Sequence, residues 1–385
     1  MSGVSVELVT DLPRAGEIAQ EWEALAVAAS KPVASAAWVL AWWRHVASPS
    51  TEVRIVVLRD AGRLIGLAPF YVASRRRGVA EYRLMASDFG VCMEPLALAG
   101  REWELAEAVA SALSAAEPRP AMLSFGPMPM ASPWVTALSC SWPGRAPALA
   151  RRLRVEGAPV VHLREPGYEE WFQTLSSKLR RELRRCERLF AEAGGTTRWS
   201  DASTLRADAE SFARLHAGRW EGRSWSRLTD LGERLPDWLT DVGAPLIGEG
   251  RFGLCVLEIG GEPVCVDLHL SAGSEVDGVN VGWDQRYARL APAKLAVLRV
   301  IEAAYEKGAT RVGLGNGSLL NKVRMANGDD PVAWTALLAP TPRLPIAYGL
   351  IAPQLARRHA RELLGRSLPE PWLERIRTAA RGLPR

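Results

Sequence analysis

Two residues on one short run, Asp267 and His269, carry the strongest sign of chemistry in this chain. Along Cys265–Leu270 the residues alternate, so Val266, Leu268 and Leu270 point one way while Cys265, Asp267 and His269 point the other. Burying either polar group without a partner costs several kcal/mol. Such residues either pair with each other or with an arginine at a domain interface, or line a site where one of them moves a proton. Of the two, His269 is the residue type more often used as a general base.

A second candidate lies just downstream, in residues 279–322. Val279, Val281 and Trp283 form a short strand ending in a polar turn, and Pro292 then opens a helix, where its missing N–H is no loss. Leu295, Leu298, Val300, Ile301, Ala304 and Tyr305 recur at helical spacing, and Gly308 closes the helix. Arg311–Leu314 is a buried strand running into the glycine-rich turn Gly315-Asn316-Gly317. Strand, tight turn, helix, strand is the unit that sets an anionic group on a helix N-terminus, so a phosphate-bearing cofactor is expected here. Asp284, at the mouth of the strand, either caps the Gln285–Ala288 turn or orients an acceptor. Lys322 follows the glycine-rich turn, where α/β folds bind ligands, or is a surface lysine on a helix from Ser318 to Met325.

The elements that must position these residues repeat. The first half has a strand at Val4–Val9, helices at Ala15–Ala29 and from Ser35 to Ala47, and a hairpin, Glu52–Leu58 with Leu64–Val72, across Asp60-Ala61-Gly62. Strands at Tyr82–Met85 and Pro95–Leu98, a helix at Glu102–Ala115 and a strand at Ala121–Phe125 follow. The second half has a strand at Thr196–Ser200, a helix at Ala207–Trp220 and a hairpin, Phe252–Ile259 with Pro263–Ser271, across Gly260-Gly261. Val276–Gly282, Pro292–Lys307 and Arg311–Leu314 complete it. Two halves in one order predict a duplicated α/β domain, each half a mixed central sheet flanked by helices. The expected divisions are a first domain at 1–156, a linker strand and basic helix at 157–195, a second domain at 196–340 and a basic helical tail at 341–385.

In the linker helix, Leu179, Leu183, Cys186 and Phe190 form an apolar seam. Arg180, Arg184 and Arg188 line another face, extended by Lys178, Arg181 and Arg185, either as a solvated surface or as a clamp for phosphates or an acidic substrate. The tail carries nine arginines against three glutamates from Arg343 to Arg385, so most of the net charge of +5 resides there rather than on a nucleic-acid-binding face. Its apolar residues, Leu350, Ile351, Leu355, Leu363, Leu364, Trp372, Leu373 and Ile376, predict helical packing against the second domain, with peripheral contact to anionic lipid as the alternative.

With 385 residues, two cores are expected; 48% are apolar and no run reaches transmembrane length. The start, MSGVSVELVT, has neither the basic nor the apolar part of a signal peptide, and the five cysteines lack paired spacing. Cys255 and Cys265 flank a hairpin turn but are expected as free buried thiols, so the location expected is cytoplasmic. No zinc-site spacing occurs, and no metal is expected. The arginine bias suggests a GC-rich bacterial genome. Most of the fifteen tryptophans, Trp220 and Trp225 included, are expected first as packing.

The order of these pieces resembles the GNAT acyltransferase fold in tandem, and more narrowly the CelD-type acetyltransferase domain, a relative of Fem-type aminoacyl transferases. The residues that carry the resemblance are the helix Lys178–Leu189 with Gly194-Gly195, then His216-Ala217-Gly218-Arg219-Trp220. Gly282-Trp283-Asp284 with Tyr287, Ala291-Pro292-Ala293, and Gly315-Asn316-Gly317 with Lys322 complete the set. The resemblance covers about Gly157–Ala339, and the first half only by pattern. It implies acetyl-CoA or another acyl-CoA as donor and the primary amine of a small molecule or saccharide precursor as acceptor.

The resemblance also implies a pyrophosphate site on Arg289, Leu290, Ala291, Ala293, Lys294 and Leu295, with Asn316 nearby. Asp267, His269 and Asp284 become the acid–base candidates for direct transfer, and Lys322 a stabiliser of the tetrahedral oxyanion. Trp220, Trp283 and Tyr287, with Asp88 and Phe89 of the first half, are expected to line the acceptor cleft. Three positions depart from the family pattern: Ala293 where a glycine follows the proline, Gly313 where an aspartate is usual, and Asn321 where an aromatic precedes the lysine. The alternatives are a donor that is an aminoacyl-tRNA, and a non-catalytic module on the same scaffold.

Overall fold

A computed structural model describes residues 3–220, 227–317 and 320–367. Trp225, Ser318, Trp372, Leu373 and Ile376 lie outside these, as do the side chains of Asn321, Leu363 and Leu364. Two mixed sheets form the frame. The first contains β1 (Val4–Val9), β2 (Glu52–Asp60), β3 (Arg63–Arg76), β4 (Val79–Leu84), β5 (Leu96–Ala97), β6 (Pro120–Pro129) and β7 (Leu149–Glu156). The second contains β8 (Pro159–His162), β9 (Gly195–Trp199), β10 (Phe252–Ile259), β11 (Glu262–Ala272), β12 (Glu275–Trp283), β13 (Arg311–Gly313) and β14 (Gly328–Asp329). The last strand, β15 (Val332–Leu338), returns to the first sheet.

The strand orders are β1-β2-β3-β4-β6-β15-β7, with β5 on β3, and β14-β8-β13-β12-β11-β10-β9. Each sheet has one parallel pair among the described residues, β4 with β6 and β12 with β13. The halves also exchange strands. β15 lies between β6 and β7, and β8 between β13 and β14. The expected domain end at 340 therefore falls after a strand that belongs by hydrogen bonding to the first sheet. Periodicity could not have shown this, because Val332–Leu338 is buried along nearly its whole length and would suit either sheet.

The predicted hairpins, the duplicated order and the helices at Leu205–Trp220 and Pro292–Glu306 are all present. A helix at Trp134–Ser141 and strand β7 were not predicted. One core runs through both halves, joining Trp22, Trp38 and Phe70 to Phe212, Trp238 and Leu268. A second lies under the helices Ser177–Glu192 and Pro292–Glu306. The helix Leu344–Ser367 buries Ala347, Ile351 and Leu355, one row four residues apart, on Met122, Ala336 and Leu338. It packs on the first sheet, not on the second domain as predicted, because β15 delivers the chain there. All five cysteines are free, and Cys255 faces Asp267 rather than Cys265 across the β10–β11 ladder.

Candidate functional site

The site is built on a fork between β12 and β13. The two strands pair at Glu275–Arg311, Val276–Val312 and Asp277–Gly313 and then part. Opposite the fork, Leu268 pairs with Asn280 and His269 with Gly278, which leaves Val279 as an extra, bulged residue. Glycine is needed at this throat. A Cβ on Gly278 would stand 3.0 Å from the Gly313 carbonyl oxygen, and one on Gly315, which has φ +75°, would stand 3.2 Å from the Gly278 carbonyl oxygen.

Asp267, Lys322 and Arg219 act on one another near the open end, and His269 lies beside Asp267 on the β10 side. Asp267, opposite Val281, is buried, and that burial raises its pKa against the pull of His269, Lys322 and Arg219. His269 Nδ1 lies 3.8 Å from Asp267 Oδ1, too long for a hydrogen bond, and is buried without another partner among the described residues. Its ring lies over Gly253, where a Cβ would come within 2.2 Å of Nε2, and meets Trp199 edge to face at 5.3 Å. Lys322 Nζ donates to the Asn316 carbonyl oxygen at 3.4 Å. Burial and the Arg219 cation push the Lys322 pKa down to about 8, with Asp267 opposing. Arg219 ends the helix Leu205–Trp220, donates to the Val281 carbonyl oxygen at 2.6 Å and stacks over Trp220. A buried carboxyl with two cations near it, and an imidazole whose Nδ1 has no other partner among the described residues beside it, are groups that can take a proton from an attacking group and stabilise an oxyanion.

The other predicted residues divide. Asp284 caps the turn it precedes: its carboxylate accepts from the Arg286 amide at 2.9 Å and from the Arg286 guanidinium at 2.8 and 2.6 Å. Those bonds hold its pKa below the usual carboxylate range, so capping is the role the geometry gives it. Around Arg289–Leu295 the amides of Lys294 and Leu295 donate to the Ala291 carbonyl oxygen, and Pro292 has no N–H. The Ala293 amide is the one left without an acceptor there among the described residues. Leu295 is a core residue, and Lys294 pairs with Glu182 of the linker helix. Leu290 and Tyr287 pack on the second core, and Arg289 is exposed. Asn316 donates to the Gly90 carbonyl oxygen and so ties the fork to the first half.

On that first-half side, Asp88 accepts from Tyr71 Oη at 3.0 Å, and Phe89 packs against Trp38 and Trp238. Trp220 stands near His216, and Trp283 lies opposite Cys265 against the second core. Sequence reasoning missed two residues. Arg219 stood inside a quoted motif without a role, and its closeness to the fork follows only from the helix crossing Gly282, where a Cβ would meet the His216 amide at 2.7 Å. Asp277 was missed because it looked like one polar residue in an alternating strand. Its carboxylate fills the space over Gly313, where a Cβ would come within 2.7 Å of Oδ1. An acid from the neighbouring strand thus occupies the space over the position where the resemblance leads one to expect an aspartate. Burial raises its pKa, opposed by Arg311 at 3.3 Å.

Duplicated sheets, each with one parallel pair, and a forked pair that carries titratable residues define a tandem GNAT-fold protein. Residues 177–320 match the family model described as an acetyltransferase (GNAT) domain, a match that makes the chain an acyltransferase by class. No curated protein matches it by sequence. Among solved structures it is similar to FemX at 11% identity and a TM-score of 0.59, over 90% of this chain and 99% of that one. It is also similar to the C-terminal domain (DUF2156) of a putative lysylphosphatidylglycerol synthetase from Agrobacterium fabrum, at 12% identity and 0.56, over 84% and 92%. A conserved protein of unknown function from Bacteroides thetaiotaomicron follows at 9% identity and 0.51, over 83% and 97%. These likenesses concern the fold.

Proposed function

We propose that this protein moves an acyl group from acyl-CoA to the primary amine of a small molecule or saccharide precursor, by direct attack at the β12–β13 fork. The observation that carries the reading is the buried His269, its Nδ1 without another partner among the described residues, beside Asp267, with the Lys322 cation acting on the same carboxyl. His269 takes the ammonium proton, the Asp267 carboxylate nearby stabilises the imidazolium that forms, and Lys322 faces the developing oxyanion. The donor phosphates meet the Ala293 amide and Lys178, Arg181 and Arg185 of the linker helix, which are exposed and make no ion pair among the described residues; that helix packs against the Gln285–Leu290 turn. Location in the cytoplasm fits a CoA donor.

A second reading keeps the chemistry and exchanges the donor for aminoacyl-tRNA. The single free amide at the helix start and the fold shared with FemX favour it. Release of free thiol from acetyl-CoA in the presence of a panel of amines tests the first reading. Transfer only from charged tRNA, with binding that weakens steeply as salt rises, would replace it by the second.

A further inference from the structure

The edge of the first sheet carries a second cleft that the transfer chemistry leaves unused. It lies between β7, the terminal strand of that sheet, and the helix Leu344–Ser367, with a volume of about 500 Å³. Arg151, Arg152, Arg358 and His359 form its polar walls, Tyr348 and Leu355 are part of its apolar lining, and among the described residues no carboxylate lines it. Arg151 donates to its neighbour's carbonyl oxygen, Ala150, at 3.0 Å and lies 5.9 Å from the Tyr348 ring. Arg358 donates to the Arg152 carbonyl oxygen at 2.6 Å. The Nδ1 of His359 lies 2.8 Å from the Leu355 carbonyl oxygen, which leaves Nε2 as its remaining polar atom.

Several partly buried arginines elsewhere in this protein are matched by acids. Arg154, two positions along the same strand, pairs with Glu156, and Arg198, Arg251, Arg299 and Arg311 each hold a carboxylate. Arg151 and Arg152 make no ion pair among the described residues. Cations gathered in a concave place repel one another unless an anion completes the set. Guanidinium forks match phosphate oxygens.

We propose that this cleft binds a phosphate-bearing anion, the headgroup of a membrane lipid or a soluble phosphate ester, at a site separate from the fork. The lipid source accounts for one more feature: Ile346 and Tyr348, on the helix that forms one wall, are exposed at 43% and 39%. The row Ala347, Ile351 and Leu355 is already buried on the sheet, so the helix meets a bilayer at headgroup level rather than by inserting its apolar face. The proposal does not rest on the transfer reading.

The test uses the full chain, sedimented with phosphatidylcholine vesicles with and without phosphatidylglycerol, and titrated with inorganic pyrophosphate. Arg152→Glu and the pair Arg151→Gln/Arg358→Gln should each weaken binding to the anionic vesicles about tenfold or more, at unchanged melting temperature. Arg381→Glu, in the terminal basic stretch, should not. Pyrophosphate binding lost in the same variants, without vesicle binding, would assign the soluble source. Binding of neither ligand, or binding indifferent to the cleft variants, would overturn the proposal.

Discussion

The two halves share one plan but differ at the parallel pair. In the first half, β4 and β6 stay together from Ala80–Pro120 to Arg83–Ser124. The β3 residue opposite the end of β4 is Phe70, fully buried against Phe125. In the second half the pair parts after three residues, and β11 presents Asp267 and His269 instead. The helices that follow differ too. Glu102 and Glu104 occupy the first turn of Glu102–Ala115, where their charges answer the helix dipole and repel an anion. The first turn of Pro292–Glu306 has no acid. One copy of the plan has been filled with apolar side chains and holds the molecule together; the other has kept a gap and the groups to use it.

Exchanging polar for inert groups in the two copies should have unequal effects. Asp267→Asn and His269→Ala are each expected to lower turnover by about 10² to 10⁴. Phe70→Leu should lower the melting temperature and leave turnover of the folded protein within about twofold. Equal losses from both copies would break the comparison. Next in size is Lys322→Met, expected to cost about 10² to 10³ in turnover. The Lys322 cation is lost as pH rises through about 8, so wild-type turnover should fall above that pH. Lys322→Arg should abolish that fall.

A smaller effect separates Gly313 from the family pattern. Gly313→Asp drives a side chain into the Asp277 carboxylate and should cost about tenfold to a hundredfold, with Asp277→Gly restoring most of it. Rescue would show that the two strands compete to supply one acid. The smallest effect concerns stability. His216 is buried with both ring nitrogens unpartnered among the described residues, and burial lowers its pKa to about 4. As pH falls from the ordinary histidine range towards 4, the unfolded chain gains a proton that the folded one refuses, so stability should decline. His216→Leu should flatten that decline in thermal melts recorded across the range.

Much of this contrast was legible before any coordinates. Alternation placed Asp267 and His269 on one face, Pro292 and Gly308 bounded the helix, and Gly315-Asn316-Gly317 marked the turn. What stayed hidden is what depends on distant pairing. The exchange of β8 and β15 leaves no local trace, because a strand buried on both faces reads alike in either sheet. Asp277 carried no signal of its own, since its importance lies in the space above Gly313. For Asp284 the sequence left capping and acceptor orientation open, and for Lys294 it suggested a phosphate; which partners they hold, Arg286 and Glu182, depends on contacts that local pattern does not show.

The central claim is that only one of the two copies keeps a working donor site, and counting donor sites tests it most directly. Calorimetric titration of the full chain with acetyl-CoA should show one saturable site, abolished when Ala293→Asp places a carboxylate at the start of its helix and unchanged by Glu102→Gln/Glu104→Gln in the other half. Two sites, or no heat of binding at millimolar ligand, would contradict it.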